Sequence, residues 1–315
     1  MSEASTTILF LGLARDCEAT VGIFAAYLRT LRSLGISCRA LVGENGSRDH
    51  TRAVLLQNSD LITLVDTDFM VDGLPRLSRM AQGREAILMA AKSLDDAPRY
   101  ICVADLDNVI VAPPAPSAIM AAVKTLSERE TIFAISATSA PYYYDLLAFR
   151  APNFDFVWLS MALAQAKKNP LTYYMFHKDS IYQFQKALTV DHHIECESAF
   201  NGLCLYRSQD YFRGTYRSQH EAEICEHVTF NRSVATDHAP LMMSTRQWCS
   251  GHPRTTARRA SGISGATDCA SSWPCGAVPV RPTRSCPPLP EPATGRPPEL
   301  AVGFRVLGRV SDVTP

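Results

Sequence analysis

Asp105 and Asp107 stand one residue apart at the end of an apolar run, Arg99-Tyr-Ile-Cys-Val-Ala-Asp105-Leu-Asp107-Asn-Val-Ile-Val111. Paired carboxylates are hard oxygen ligands suited to Mg2+ or Mn2+. At the carboxyl end of a strand in an open α/β sheet they are placed to hold a metal and a diphosphate. The plainer reading is a solvated turn carrying two surface aspartates, since D-x-D is short and common. Further along, Gln219 to Arg232 brings Glu221, Glu223, Glu226 and His227 together. Glu226 and His227 are neighbours in it, a carboxylate beside an imidazole. Adjacent helical residues point about 100° apart, so one of the two does chemistry and the other packs.

These residues need a scaffold, and the preceding chain supplies a regular one. RYICVA reads as a strand buried on both faces. Before it, Thr7 to Leu13 and Ser37 to Val42 read as strands, and Asp60 to Val65 as a third. Helices fall between them at Glu18 to Leu34, stopped by Gly35, and at about Asp49 to Gln57. Ser47 or Asp49 can cap the second helix, whose N-terminus can face an anion. A long helix spans Pro75 to Leu94 and carries Arg76, Arg79 and Arg84. This β-α-β-α-β spacing predicts a mostly parallel α/β sheet with right-handed crossovers and helices on both faces, Rossmann-like in form.

Downstream, a helix is expected over Ser117 to Leu126, strands over Thr131 to Ser136 and Asp145 to Phe149, and a helix over Phe156 to Lys168. Tyr142, Tyr143 and Tyr144 form either a wall for a sugar ring or an aromatic segment of the core. Tyr173 to Leu188 suits a flap or helical insertion on the acceptor side. Glu197 to Arg207 reads as a strand around Asn201-Gly202, where the missing side chain lets something approach the backbone.

The chain has 315 residues, 46% hydrophobic and 20% charged, with zero formal net charge. A broad electrostatic grip on nucleic acid is thereby disfavoured. No apolar run approaches the roughly 20 residues that span a bilayer. The N-terminal apolar run has no basic residue ahead of it and reads as a strand, not a signal peptide. The ten cysteines are scattered without a C-x-x-C, and Cys17, Cys38 and Cys102 read as small core residues in a reducing, cytoplasmic compartment. Composition changes after about Trp248. Residues 251–315 hold 11 of the 20 prolines and eight Arg but no Lys, without sustained periodicity. The expected division is a folded domain over residues 1–248 and a disordered or aberrant tail over 249–315. The tail also resembles an out-of-frame read of GC-rich coding sequence, which would place the loss of the natural C-terminus near residue 240.

VGENGSRDHT, at the end of the second strand, resembles the D-D-x-S-x-D-x-T segment of GT-A glycosyltransferases. Ser47, Asp49 and Thr51 match, while Glu44 and Asn45 replace the acidic pair. VADLDNVIV resembles the GT-A D-x-D. PRLSRMAQGREAIL, FNGLCLY and CEHVTFN are similar to segments of fungal cell-wall and capsule mannosyltransferases. The resemblance covers roughly residues 7 to 240.

It implies a GT-A fold that moves a sugar, mannose by the nearer analogy, from a nucleotide-sugar donor (GDP-mannose or a UDP-sugar) to a glycan or cell-surface polysaccharide acceptor. Mn2+ or Mg2+ would be the cofactor. Asp107 would bind the metal directly, and Asp105 would contact the ribose, the metal or both. Arg15, Glu44 and Asn45 would line the nucleotide pocket. Arg84 would reach the diphosphate or else lie on a solvated helix face. Glu226 would be the general base and His227 would complete the metal shell. Peripheral attachment to a membrane is compatible with such an acceptor. Two rivals remain. Asp105-Leu-Asp107-Asn-Val109 matches the D-x-D-x-[TV] string of haloacid-dehalogenase phosphatases, although three strands precede it and the last lysine is Lys186. A non-catalytic sugar-nucleotide binding module would keep the same fold.

Overall fold

The computed structural model describes residues 7–70, 74–107, 112–140, 142–151, 154, 156–188, 194–217, 224–235 and 242–251. All of them belong to the first of two compact units, Met1–Pro253. Glu221, Glu223 and the Pro/Arg-rich region from 252 onward lie outside the described residues.

The first half alternates as expected. β1 (Thr7–Ala14), α1 (Glu18–Ser33), β2 (Ser37–Glu44), α2 (Thr51–Gln57), β3 (Ile62–Asp66), α3 (Arg76–Lys92) and β4 (Tyr100–Asp105) follow one another. Gly35, at φ +82°, ends α1 in the left-handed region that a glycine enters without steric cost. After β4 come α4 (Pro116–Glu128), β5 (Ala134–Ala140) and α5 (Phe156–Ala166). Then α6 (Pro170–Phe176), a π-helical turn (His177–Ile181) and α7 (Tyr182–Ala187) run on as one irregular helix. The chain continues with β6 (Ile194–Cys196), β7 (Leu203–Arg207), α8 (Ser208–Tyr211), α9 (Glu226–Val234) and β8 (Met242–Gly251).

The eight strands form one sheet in the order β3-β2-β1-β4-β7-β5-β8-β6. β1, β2, β3 and β4 are mutually parallel; β7 runs antiparallel between β4 and β5, and β6 antiparallel beside β8. β5 and β8 are parallel to each other. The sheet is therefore mostly parallel and Rossmann-like, as the sequence pattern predicts.

Alternation along each strand feeds two apolar layers. Ile8 and Phe10 pack with Phe24, Leu28 and Leu31 of α1 and Ile119 and Leu126 of α4. Leu9 and Leu11 pack with Ile87 and Leu88 of α3 and Val228 and Phe230 of α9. Both faces are thus covered by helices, which is why the inner strands read as continuous apolar runs.

Two local expectations fail. Residues 145–149 form a turn instead of a strand, with the Ala148 N–H donating to the Asp145 carbonyl. The strand expected over Glu197 to Arg207 begins only at Leu203, because Gly202 turns the backbone at φ +88°.

Candidate active site

β1 and β4 are neighbours, while the chain passes from β1 outward through β2 and β3 before returning to β4. The crevice beyond their carboxyl ends is the topological switch point where ligands bind in open α/β sheets. Register places Asp105 opposite Leu13 and Glu44 opposite Ala14. Arg15, Glu44, Asn45 and Asp105 therefore share one edge of the sheet.

Leu106 is buried between the two aspartates and anchors their turn. Its carbonyl accepts from Thr20 Oγ1 of α1 at 2.6 Å. A Cβ on Gly12 would come within 2.8 Å of Leu106 Cγ, so the missing side chain in β1 makes room for this anchor. Asp107, beyond it, is exposed.

Asp105 is not a loose surface carboxylate. Its Oδ1 accepts from Arg84 Nη2 at 2.7 Å and its Oδ2 from the Tyr144 hydroxyl at 2.9 Å. Its backbone N–H donates to the Gly202 carbonyl at 2.9 Å. Arg84 also reaches Glu226, with Nε 3.2 Å from Oε1. The guanidinium thus joins the end of β4 to the first residue of α9. A solvated helix face is the wrong description of Arg84, whose side chain is 5% exposed. Burial alone would lower its pKa, but the Asp105 and Glu226 carboxylates beside it raise it, so it stays charged. With both carboxylates held, Arg84 is a clamp between them rather than an open diphosphate ligand.

The Phe200-Asn201-Gly202 stretch backs this cluster. Phe200 lies under the guanidinium, 5.4 Å from Arg84 Cζ to the ring centroid. The His227 ring stacks on the same phenyl at 3.6 Å and 13°. Asn201 Oδ1 accepts from the Tyr144 N–H at 2.9 Å, and the Tyr143 hydroxyl donates to the Phe200 carbonyl at 3.0 Å. The three tyrosines therefore divide: Tyr143 is core, Tyr144 belongs to the site, and Tyr142 is exposed and stacks on Tyr182. α9 is fixed by Asn231, which accepts from the Tyr206 hydroxyl and donates to Ser198 Oγ.

Asp145 and Phe200 carry no site signal in the sequence, and Tyr144 and Asn201 are marked there only as members of a cluster and a pair. The available signals were the tyrosine cluster and the Asn-Gly pair, which show no partner until the chain folds. Burial, with the Glu226 and Asp105 charges nearby, pushes the Asp145 carboxyl up to about 7. Burial, with Arg84 nearby, drives the His227 imidazole well below its ordinary value, and its buried Nδ1 has no hydrogen-bond partner.

The other side of the crevice is a latch between two loops. Asp49 Oδ2 accepts from the Glu18 N–H at 3.1 Å and Thr51 Oγ1 from the Cys17 N–H at 2.8 Å. α1 has no side-chain cap of its own, so these residues satisfy its first donors from outside. In return Asp16 Oδ1 accepts from the Arg48 N–H at 2.7 Å, with Asp16 at φ +51°. Glu44 is fully buried, accepting from the Ser47 N–H at 2.6 Å and from Arg52 Nη1 at 2.8 Å. Its carboxylate shapes the loop instead of facing the crevice. Asn45 and Arg15 are half-buried at the rim, and Arg15 Nε is 3.9 Å from Asp16.

Among the described residues no group of three or more His, Cys, Asp or Glu side chains gathers as a metal cage. The site still suits a divalent cation brought with a diphosphate, which needs only one or two protein carboxylates. Asp107, exposed at the mouth beside Asp105, is a hard donor of that kind. His227 fits less well, being buried against Phe200 with Nε2 3.7 Å from Glu226 Oε1. A separate cleft of about 280 Å3 lies along α3 between Phe69, Met89 and Arg217.

Fold and site together define an open α/β sheet with a braced carboxylate cluster at its switch point. The chain is similar in structure to glucosyl-3-phosphoglycerate synthase from Mycobacterium tuberculosis in complex with Mn2+, UDP and glucosyl-3-phosphoglycerate. Identity is 13% over 79% of this chain and 71% of that one, with a TM-score of 0.42. The same enzyme in complex with Mg2+ and UDP gives 13%, 79%, 71% and 0.42. A mycobacterial protein gives 12% identity over 79% and 68%, with a TM-score of 0.44. At this level the likeness carries nothing about chemistry, which rests on the residues of this chain. No protein-family model and no curated protein matches it. No described helix is long and apolar enough to cross a membrane.

Proposed function

We propose that the chain is a metal-dependent GT-A glycosyltransferase that moves a hexose from a nucleotide-sugar donor to a hydroxyl of a glycan acceptor. The observation that carries this reading is the Asp105–Arg84–Glu226 bridge at the β1/β4 switch point, with Asp107 exposed beside it.

Transfer breaks the bond between the sugar's anomeric carbon and the diphosphate oxygen and forms one to the acceptor oxygen. Asp107, with Asp105, would hold the Mn2+ or Mg2+, which neutralises charge on the departing nucleoside diphosphate. Asp105, pinned through both oxygens, presents the donor in one orientation. Glu226 would take the acceptor proton, and Arg84 holds it on the same side of the crevice as Asp105. Arg15 and Asn45 would line the nucleotide pocket from the rim, with Glu44 supporting their loop. GDP-mannose or a UDP-sugar is the donor class, mannose following from the motif resemblance. A cytoplasmic setting agrees with free thiols at Cys17, Cys38, Cys102, Cys196, Cys204 and Cys225. A phosphatase nucleophile at Asp105 is disfavoured because three strands, β1 to β3, precede the strand that its D-x-D motif ends.

The test is thermal stabilisation of the full chain by UDP, GDP and their sugars, with and without Mn2+. Ligand at about 100 times its Kd should add about 2.7 kcal/mol. Mn2+-dependent stabilisation by one nucleotide, followed by sugar release from its donor, is expected. Indifference to every nucleotide would sink the reading.

A further inference from the structure

We infer that the outer face of the α5–α7 insertion docks on an anionic lipid surface. Surface helices normally turn one apolar stripe inward and a polar face outward. Here the inward stripe is present: Ile181 and Leu188 are buried, with Phe176 and Phe184 packed beside them. The outward face carries large apolar side chains as well. Met161, Leu171 and Tyr174 are 68%, 70% and 62% exposed, and Met175, Tyr142 and Tyr182 join them. These six are half of the large apolar side chains that stand exposed among the described residues. A patch of this kind on one surface element marks an interaction site.

Charge selects the occupant. Lys167, Lys168, Lys178 and Lys186 are four of the chain's six lysines, and Asp179 is the only acidic residue between 156 and 188. All four lysines are exposed. Leu171 and Met175 lie one turn apart on α6, and Tyr182 and Lys186 one turn apart on α7, with Lys178 in the π-helical turn between them, so apolar and cationic groups interleave along the segment. Tyrosine rings and long lysine stems suit the boundary between headgroups and acyl chains, where the ring is half-buried and the ammonium stays wet. Anionic headgroups attract such lysines. A second copy of the chain would bring the same lysines against each other across a two-fold interface, which opposes self-association. The inference goes beyond glycosyl transfer and does not depend on it.

The experiment is co-sedimentation of the full chain with phosphatidylcholine vesicles, with and without phosphatidylglycerol. Phosphatidylglycerol should raise the partition coefficient at least about tenfold at low salt, and added salt should reverse the gain. The double variant Leu171→Asp/Tyr174→Asp should abolish binding. Lys167→Glu/Lys168→Glu should remove the preference for phosphatidylglycerol. Unchanged far-ultraviolet circular dichroism and nucleotide stabilisation in each variant keep misfolding and failure of the carboxylate site distinguishable from loss of docking. Three outcomes overturn the proposal: no phosphatidylglycerol-dependent binding, binding indifferent to both variants, or a wild-type dimer that Leu171→Asp/Tyr174→Asp converts to a monomer.

Discussion

Arg84 and Asp105 meet at 2.7 Å although 21 residues separate them, one on α3 and the other at the end of β4. The same guanidinium reaches Glu226, 142 residues onward. A buried cation between two carboxylates is weak evidence of net stabilisation, because desolvating three charges offsets their attraction. Its effect is geometric: it fixes the spacing of two groups that the proposed reaction needs together.

Removing that cation should therefore be costly in two ways. Arg84→Ala leaves a buried Glu226 and a half-buried Asp105 without the cation between them and should destabilise the fold by about 3–5 kcal/mol, read by denaturant unfolding. Arg84→Lys keeps the charge but not the fork. It should fold and should lower kcat for sugar transfer more than it changes donor KM. A raised donor KM with kcat unchanged would show that Arg84 acts only by binding donor.

Asp107 is exposed and its substitution should spare the fold. Asp107→Ala should move the ligand-free melting temperature by no more than about 0.5 kcal/mol equivalent. It should also abolish Mn2+-dependent stabilisation by nucleotide. Retention of that stabilisation would remove Asp107 from the metal site.

Acid should weaken the fold through His227. Its folded pKa is depressed by burial, so the native imidazole stays neutral while the unfolded one takes a proton below about pH 6.5. This stability is present above that pH and is lost as pH falls. His227→Phe would keep the ring stacked on Phe200 and should flatten the pH dependence of unfolding between about 6.5 and 5.

Asp145 has the opposite sign. Its folded pKa of about 7 lies above the ordinary aspartate value. From about pH 4 to 7 the unfolded chain loses a proton that the native chain keeps, so stability falls as pH rises through this window. In metal-free buffer, Asp145→Asn should raise stability at pH 8 by roughly 1–3 kcal/mol and have little effect at pH 4. Equal effects at both pH values would mean that the carboxyl does not titrate in this range.

The sequence by itself determined the parallel half of the sheet. Apolar runs bounded by caps and glycines are local signals, and β1 through β4 fall where periodicity places them. It also marked Asp105, Asp107, Glu226 and the Asn201-Gly202 pair, because unusual residue types at strand and helix ends are visible without coordinates. What it left undecided is who faces whom. Arg84 is compatible with either face of α3 until β4 and α9 close on it. Tyr142, Tyr143 and Tyr144 have the same composition but end in solvent, core and site. Glu44 reads as a pocket residue yet turns inward to Ser47 and Arg52. The turn at 145–149 likewise escapes a strand-like pattern. These choices come from pairings between distant segments, where burial favours a partner for each charge and most hydrogen-bonding groups. Only the tertiary structure supplies those partners.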